Sequence, residues 1–175
     1  MSITDIKSKL PDYAKDTKLN LSAVMESEHL SPIQVHATAL ASAYAIGNKE
    51  LLQAVYNEAQ EQLDDAYLNA AKAAASIMGM NNIYYRFVHL VGQDYGKMPP
   101  RLRMNILANH GIDKIDFELF SLAVSAINGC GMCMESHNHH VVKGGISAEG
   151  IQDAIRIAAV LNATASTLHA EEMLG

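Results

Sequence analysis

The chain has 175 residues, 49% of them apolar and only 6% aromatic, with no tryptophan. Its net charge is −6 and its 13 lysines and arginines form no run, so the clustered cations that neutralise nucleic-acid phosphate or an anionic membrane surface are missing. No apolar stretch reaches about 18 residues, the length of a membrane span, and the opening MSITDIKSKL carries no apolar signal segment; one cytoplasmic domain over residues 1–175 is the expectation.

The apolar content is mainly Ala, Leu, Ile, Val and Met, a helix-forming vocabulary without the β-branched and aromatic alternation of strands. A first helix is expected over 12–27, after Pro11. A second opens with Ser31 as N-cap and Pro32 at the first helical position and closes near Gly47; Asn48 caps the next, KELLQAVYNEAQEQLDDA. DAYLNAAKAAASIMG reads as a helix ending at Gly79, and NNIYYRFVHLVG as another ending at Gly92. QDYGKMPPRLRMNILANHG, with two prolines and several turn residues, reads as a connector that could hold a short helix in RLRMNILAN. Asp113 or Asp116 starts DFELFSLAVSAING; a further helix runs from about Cys130 to Gly144; Ser147 caps the last. The expected fold is all-α, about eight helices joined by short turns. SAYAIGNKE and VSAINGCGM both close an Ala-rich helix, and this repeat raises an internal duplication.

Chemistry concentrates in AINGCGMCMESHNHH, residues 126–140. The only two cysteines, Cys130 and Cys133, stand there as C-x-x-C beside three histidines. In a cytoplasmic chain this spacing points to redox or metal chemistry before a structural staple. Asn128-Gly129 marks the turn of an antiparallel helical hairpin over about 114–144. Glu118 and His137 each lie roughly 14 Å from that turn at 1.5 Å per residue, so they can face each other. On the second helix Cys130, Cys133, His137 and His140 share one face, while His139 points away. On the first, Glu118, Ser121 and Ser125 form a polar ridge on an otherwise apolar helix, the pattern of a buried helix lining a small polar site.

This geometry favours an activated thiol. The N-terminal turn of a helix and a cationic neighbour both lower a cysteine pKa. His137 can take the Cys133 proton and Glu118 can orient His137, a Glu118–His137–Cys133 relay with Cys130 as the partner thiol that resolves an oxidised intermediate. Bland alternatives stand beside it. Cys130, Cys133, His137 and His140 could be read as zinc ligands, although four donors from one helix converge poorly. The cysteines could be inert buried thiols, Glu118 a mere first-turn acid and His137 a surface histidine. His29, His36, His89, His110 and His169 belong to no constellation and read as structural.

The segment IDFELFSLAVSAINGCGMCMESHNH resembles the alkylhydroperoxidase D-like group of the carboxymuconolactone decarboxylase superfamily, whose signature is an acidic residue on an apolar helix followed by N-G-C-x-x-C-x-x-x-H. The resemblance implies an all-helical homo-oligomer, a trimer, that reduces organic hydroperoxides. It implies no bound cofactor or metal, a redox-active Cys130–Cys133 disulfide, and an external dihydrolipoamide-like or lipoyl-bearing reductant. A partner peroxiredoxin, the C component of alkyl hydroperoxide reductase, is implied as well. By the same resemblance Cys133 is the residue oxidised to sulfenic acid, Cys130 the proton donor and resolving thiol, and Glu118 and His137 the relay. The chain departs from the group at Met132, where His or Tyr is common and a methionine cannot relay protons. Met132 and Met134 would instead form a soft apolar rim. The competing readings are a decarboxylase-like member without peroxidase activity and a metal-binding oligomeric module.

Overall fold

A computed structural model describes residues 1–92 and 94–175, and among them there are eight α-helices and no strand. They are α1 (Ile3–Lys9), α2 (Lys15–Ala23), α3 (Pro32–Ile46), α4 (Lys49–Gln62), α5 (Asp65–Val91), α6 (Lys114–Asn128), α7 (Gly131–Lys143) and α8 (Ala148–Leu174). Short 3₁₀ turns precede α2 at Asp12–Ala14 and interrupt the connector at Tyr95–Lys97 and Asn105–Leu107. The number expected from sequence is thus met by a different set of helices. Ser2 and Asp5 form a capping box that starts α1, a helix not expected from the sequence. The helix expected over 12–27 is shorter, because a 3₁₀ turn takes its beginning and α2 ends at Ala23.

The larger correction is at Gly79. Helices expected on either side of it are one continuous helix, α5, of 27 residues. Gly79 lies on an exposed face with open space where a Cβ would be. A glycine inside a helix costs only about 1 kcal/mol, and burial of Leu68, Ala71, Ala74, Ala75, Met78 and Asn82 along the opposite face holds the rod through it. The connector's RLRMNILAN forms only the 3₁₀ turn at Asn105–Leu107; its first residue, Gln93, lies outside the described residues.

At the centre stands α3, which packs against α4, α5, α6 and α8. Its buried run Val35, Ala37, Thr38, Ala39, Leu40, Ala41, Ser42 and Ala43 is mostly small residues, which let four neighbours approach closely. Phe117, Leu119, Phe120 and Leu122 of α6 and Ile157 and Leu161 of α8 join α3 and α5 in one apolar cluster. The chain also repeats itself: α3, α4 and α5 have 15, 14 and 27 residues, and α6, α7 and α8 have 15, 13 and 27. In each triplet a left-handed glycine, Gly47 or Gly129, ends the first helix, and the next residue, Asn48 or Cys130, caps the second with its side chain.

Candidate active site

The α6–α7 hairpin turns on Gly129, whose φ of +69° is a backbone conformation that a side chain disfavours. The Cys130 N–H then donates back to the Ser125 carbonyl at 3.1 Å, which closes α6. Cys130 stands just outside α7, which begins at Gly131, one residue later than the start at about Cys130 expected from the sequence. Its sulfur is the N-cap acceptor, taking the Cys133 N–H at 3.3 Å. A sulfur at that point lies where unpaired N–H groups and the helix dipole favour negative charge. The two cysteines are joined as a disulfide, with Cα atoms 5.3 Å apart. Cys130 is wholly buried, and Cys133 is 6% exposed.

Across the hairpin, Glu118 Oε2 lies 2.6 Å from His137 Nδ1, with both side chains largely buried. Burial alone would raise the Glu118 carboxyl. The hydrogen bond and charge of His137, helped by His140 and Lys114, outweigh it and hold the group below its ordinary value. Glu118 is therefore a carboxylate, a pure acceptor, and His137 Nδ1–H must be the donor. The free Nε2 points to the Met78 sulfur at 3.3 Å.

The polar ridge of α6 divides its work. Glu118 serves His137, whereas Ser125 Oγ accepts from Asn82 Nδ2 of α5 at 2.8 Å. Asn82 Oδ1 in turn accepts from Asn128 Nδ2 at 3.0 Å, and Arg86 donates to the Asn128 carbonyl at 2.6 Å, so α5 is tied to the hairpin turn. Ser121 is fully buried, and its hydroxyl has no partner among the described residues. His140 is half-buried beside Glu118, while His139 is exposed and meets the His140 ring edge-on. Among the described residues no three His, Cys, Asp or Glu side chains converge as metal ligands would. Of the other histidines, His110 stacks on Phe117 with ring centroids 4.4 Å apart, and burial holds His36 below its usual pKa against the opposing charge of Glu58.

Cys133 and His137 open onto one cavity of about 250 Å³, shared with Met78, Tyr85, Met104 and Leu107. Met132 lines it too, in keeping with the soft rim expected there, but Met134 does not: it packs against the core. Two larger clefts, of about 630 and 550 Å³, include neither cysteine. Sequence reasoning missed Met78, Asn82 and Tyr85 of α5, and Met104 and Leu107 of the connector. The paired Asn81-Asn82 inside an Ala-rich helix was the available signal, since buried amides require partners.

An all-helical body with a C-x-x-C cap, a carboxylate–imidazole pair and an apolar cavity defines a dithiol oxidoreductase class, and comparison with known proteins narrows it. Residues 93–174 match the carboxymuconolactone decarboxylase family. The chain is 55% identical to the alkyl hydroperoxide reductase AhpD of Rhodospirillum centenum, over 99% of this chain and 94% of that relative. It is equally 55% identical to the protein of that name from Gluconacetobacter diazotrophicus, over 100% and 97%. Identity to the one from Coxiella burnetii is 57%, over 91% and 92%. The chain belongs to the AhpD group of the carboxymuconolactone decarboxylase family.

Proposed function

We propose that this protein is an antioxidant alkyl hydroperoxide reductase that works through the dithiol of Cys130 and Cys133. The observation that carries the reading is the 2.6 Å contact of Glu118 and His137 beside a C-x-x-C pair at one apolar cavity. In the dithiol form His137, oriented by Glu118, takes the proton of Cys133. The thiolate attacks the terminal oxygen of the hydroperoxide; the O–O bond breaks, the alkoxide leaves as alcohol on taking a proton, and Cys133 becomes a sulfenic acid. Cys130 then attacks that sulfur, water leaves, and the disulfide seen here is formed. One hydroperoxide consumes two thiols and yields one alcohol and one water. An external dithiol of the dihydrolipoamide type closes the cycle by exchange, and a partner peroxiredoxin disulfide is a second electron acceptor for the same pair.

The cavity's apolar lining supports an organic rather than a small polar peroxide. We place the protein in the cytoplasm as a homotrimer. Self-association is supported by Ile83, Phe87, Leu90 and Val91, which α5 leaves exposed, and sedimentation equilibrium tests it: a monomer at micromolar concentration rejects the trimer. No helix among the described residues is long and apolar enough to cross a membrane.

Mass spectrometry of the reduced protein after limited peroxide tests the chemistry. A trapped sulfenic acid on Cys133 is expected first and an intramolecular Cys130–Cys133 disulfide afterwards. Cys133→Ser should abolish thiol-dependent peroxide turnover, and His137→Phe should lower it by about 10²-fold or more. Unimpaired turnover in Cys133→Ser would remove the proposal.

A further inference from the structure

The proton on the His137 ring is fixed by its neighbours. Glu118 accepts at Nδ1, so a neutral ring is bare at Nε2. There it meets Met78 Sδ at 3.3 Å, a buried thioether from α5. A thioether has no proton to give. It cannot bond a bare Nε2, but it can accept from the Nε2–H of a charged ring. The sulfur is itself held in place: Asn82 Nδ2 lies 3.7 Å from it, and Asn82 is anchored to Ser125 and Asn128 on the hairpin.

We propose that Met78 is a positioning residue for His137, whose thioether receives the Nε2–H formed when the ring takes the Cys133 proton and so favours the imidazolium–thiolate pair over the imidazole–thiol pair. This rests on the reading of His137 as the proton acceptor given above. One proton moves, from Cys133 Sγ to His137 Nε2, and no electron changes hands. In the charged ring Glu118 and Met78 accept from both N–H groups, which holds the imidazolium in one orientation. The thioether also leaves Nε2–H an acceptor when the thiolate turns toward a peroxide in the cavity they share. The ionisable groups around the pair are Glu118 on Nδ1, Lys114 and His140, whose charges act on the Glu118 carboxylate, and Tyr85 and Cys133, which share the cavity; among the described residues the contact at Nε2 is Met78.

The test is the rate of Cys133 alkylation against pH in the fully reduced protein, for wild type, Met78→Leu and His137→Phe. Leucine keeps the volume and removes the sulfur. Met78→Leu should move the alkylation midpoint to higher pH and slow the reaction at neutral pH by about threefold to tenfold, the range a sulfur contact supports. His137→Phe should move it further. A Met78→Leu profile lying on the wild-type curve, with His137→Phe displaced, overturns the role of Met78 alone. A His137→Phe profile lying on the wild-type curve overturns the relay beneath it. Nitrogen-15 spectra of wild-type His137 give a check that needs no variant: a neutral ring protonated at Nδ1 and bare at Nε2 is expected, and the opposite tautomer rejects the inference.

Discussion

Glu118 shows how one side chain can be held by two opposed effects. Desolvation pushes its carboxyl up, His137 pulls it down, and the pull prevails. A carboxylate whose folded pKa is depressed adds stability above its unfolded value of 4.5, and loses it as pH falls through the lower folded value. Glu118→Gln should therefore flatten part of the acid limb of the urea-unfolding midpoint against pH. It should also cut peroxide turnover at neutral pH by about 10- to 100-fold, because an amide does not stabilise the charged ring. Unchanged turnover would show that the 2.6 Å contact is structural only. The pairing of these two residues was legible in the sequence: equal distances from an Asn-Gly turn on two helices bring them level. Met78 was not, since it lies 59 residues from His137 and nothing local marks it.

Among the elements, the hairpin is fixed by its ends. Gly129 supplies a left-handed turn, and Gly144, at the far end of α7, allows a close approach to α6. A Cβ on Gly144 would overlap Ile115, including its branched Cγ2, which cannot swing away as a flexible tip would. Gly144→Ala should destabilise the protein by about 1–3 kcal/mol, the usual cost of overpacking, measured by urea denaturation. Stability equal to wild type would mean that Ile115 yields freely. The repeat of the two triplets is informative here too. Aligning Gly47 with Gly129 sets Asn48 against Cys130, Leu51 against Cys133 and Val55 against His137. The same hairpin thus packs as plain core in one place, with Leu51 and Val55 buried, and in the other holds the cysteine pair and His137. Sequence showed the repeat only as a four-residue likeness at a helix end, because packing faces tolerate many apolar residues while caps do not.

At the scale of the whole molecule, one junction joins three helices around a carboxylate. Asp116 of α6 accepts from Gln34 of α3 at 2.8 Å and from the Tyr67 hydroxyl of α5 at 2.7 Å. Burial and the Asp116 hydrogen bond push the Tyr67 phenol up to about 12 from 10.0. The folded state holds that proton when the unfolded chain has lost it, so this contribution is complete below pH 10.0 and disappears as pH rises through about 12. Tyr67→Phe should cost about 1–3 kcal/mol at neutral pH and shed part of the alkaline loss of stability. An alkaline limb identical to wild type would place that loss elsewhere.

The sequence by itself determined what short-range physics controls. Ser31-Pro32, Asn48, Asp113 and Ser147 start helices with hydrogen bonds that span three residues, and the 100° step sets Cys133 and His137 on one face, so both could be read along the line. Only the tertiary structure decided the rest. It carried α5 unbroken through Gly79, because burial along one side outweighs a local propensity of about 1 kcal/mol. It also enclosed Cys133 with Met78 and Tyr85 from α5 and Met104 and Leu107 from the connector. Those contacts join residues far apart in the chain, and they form only when whole helix faces leave water together, a cooperative event that no local pattern records.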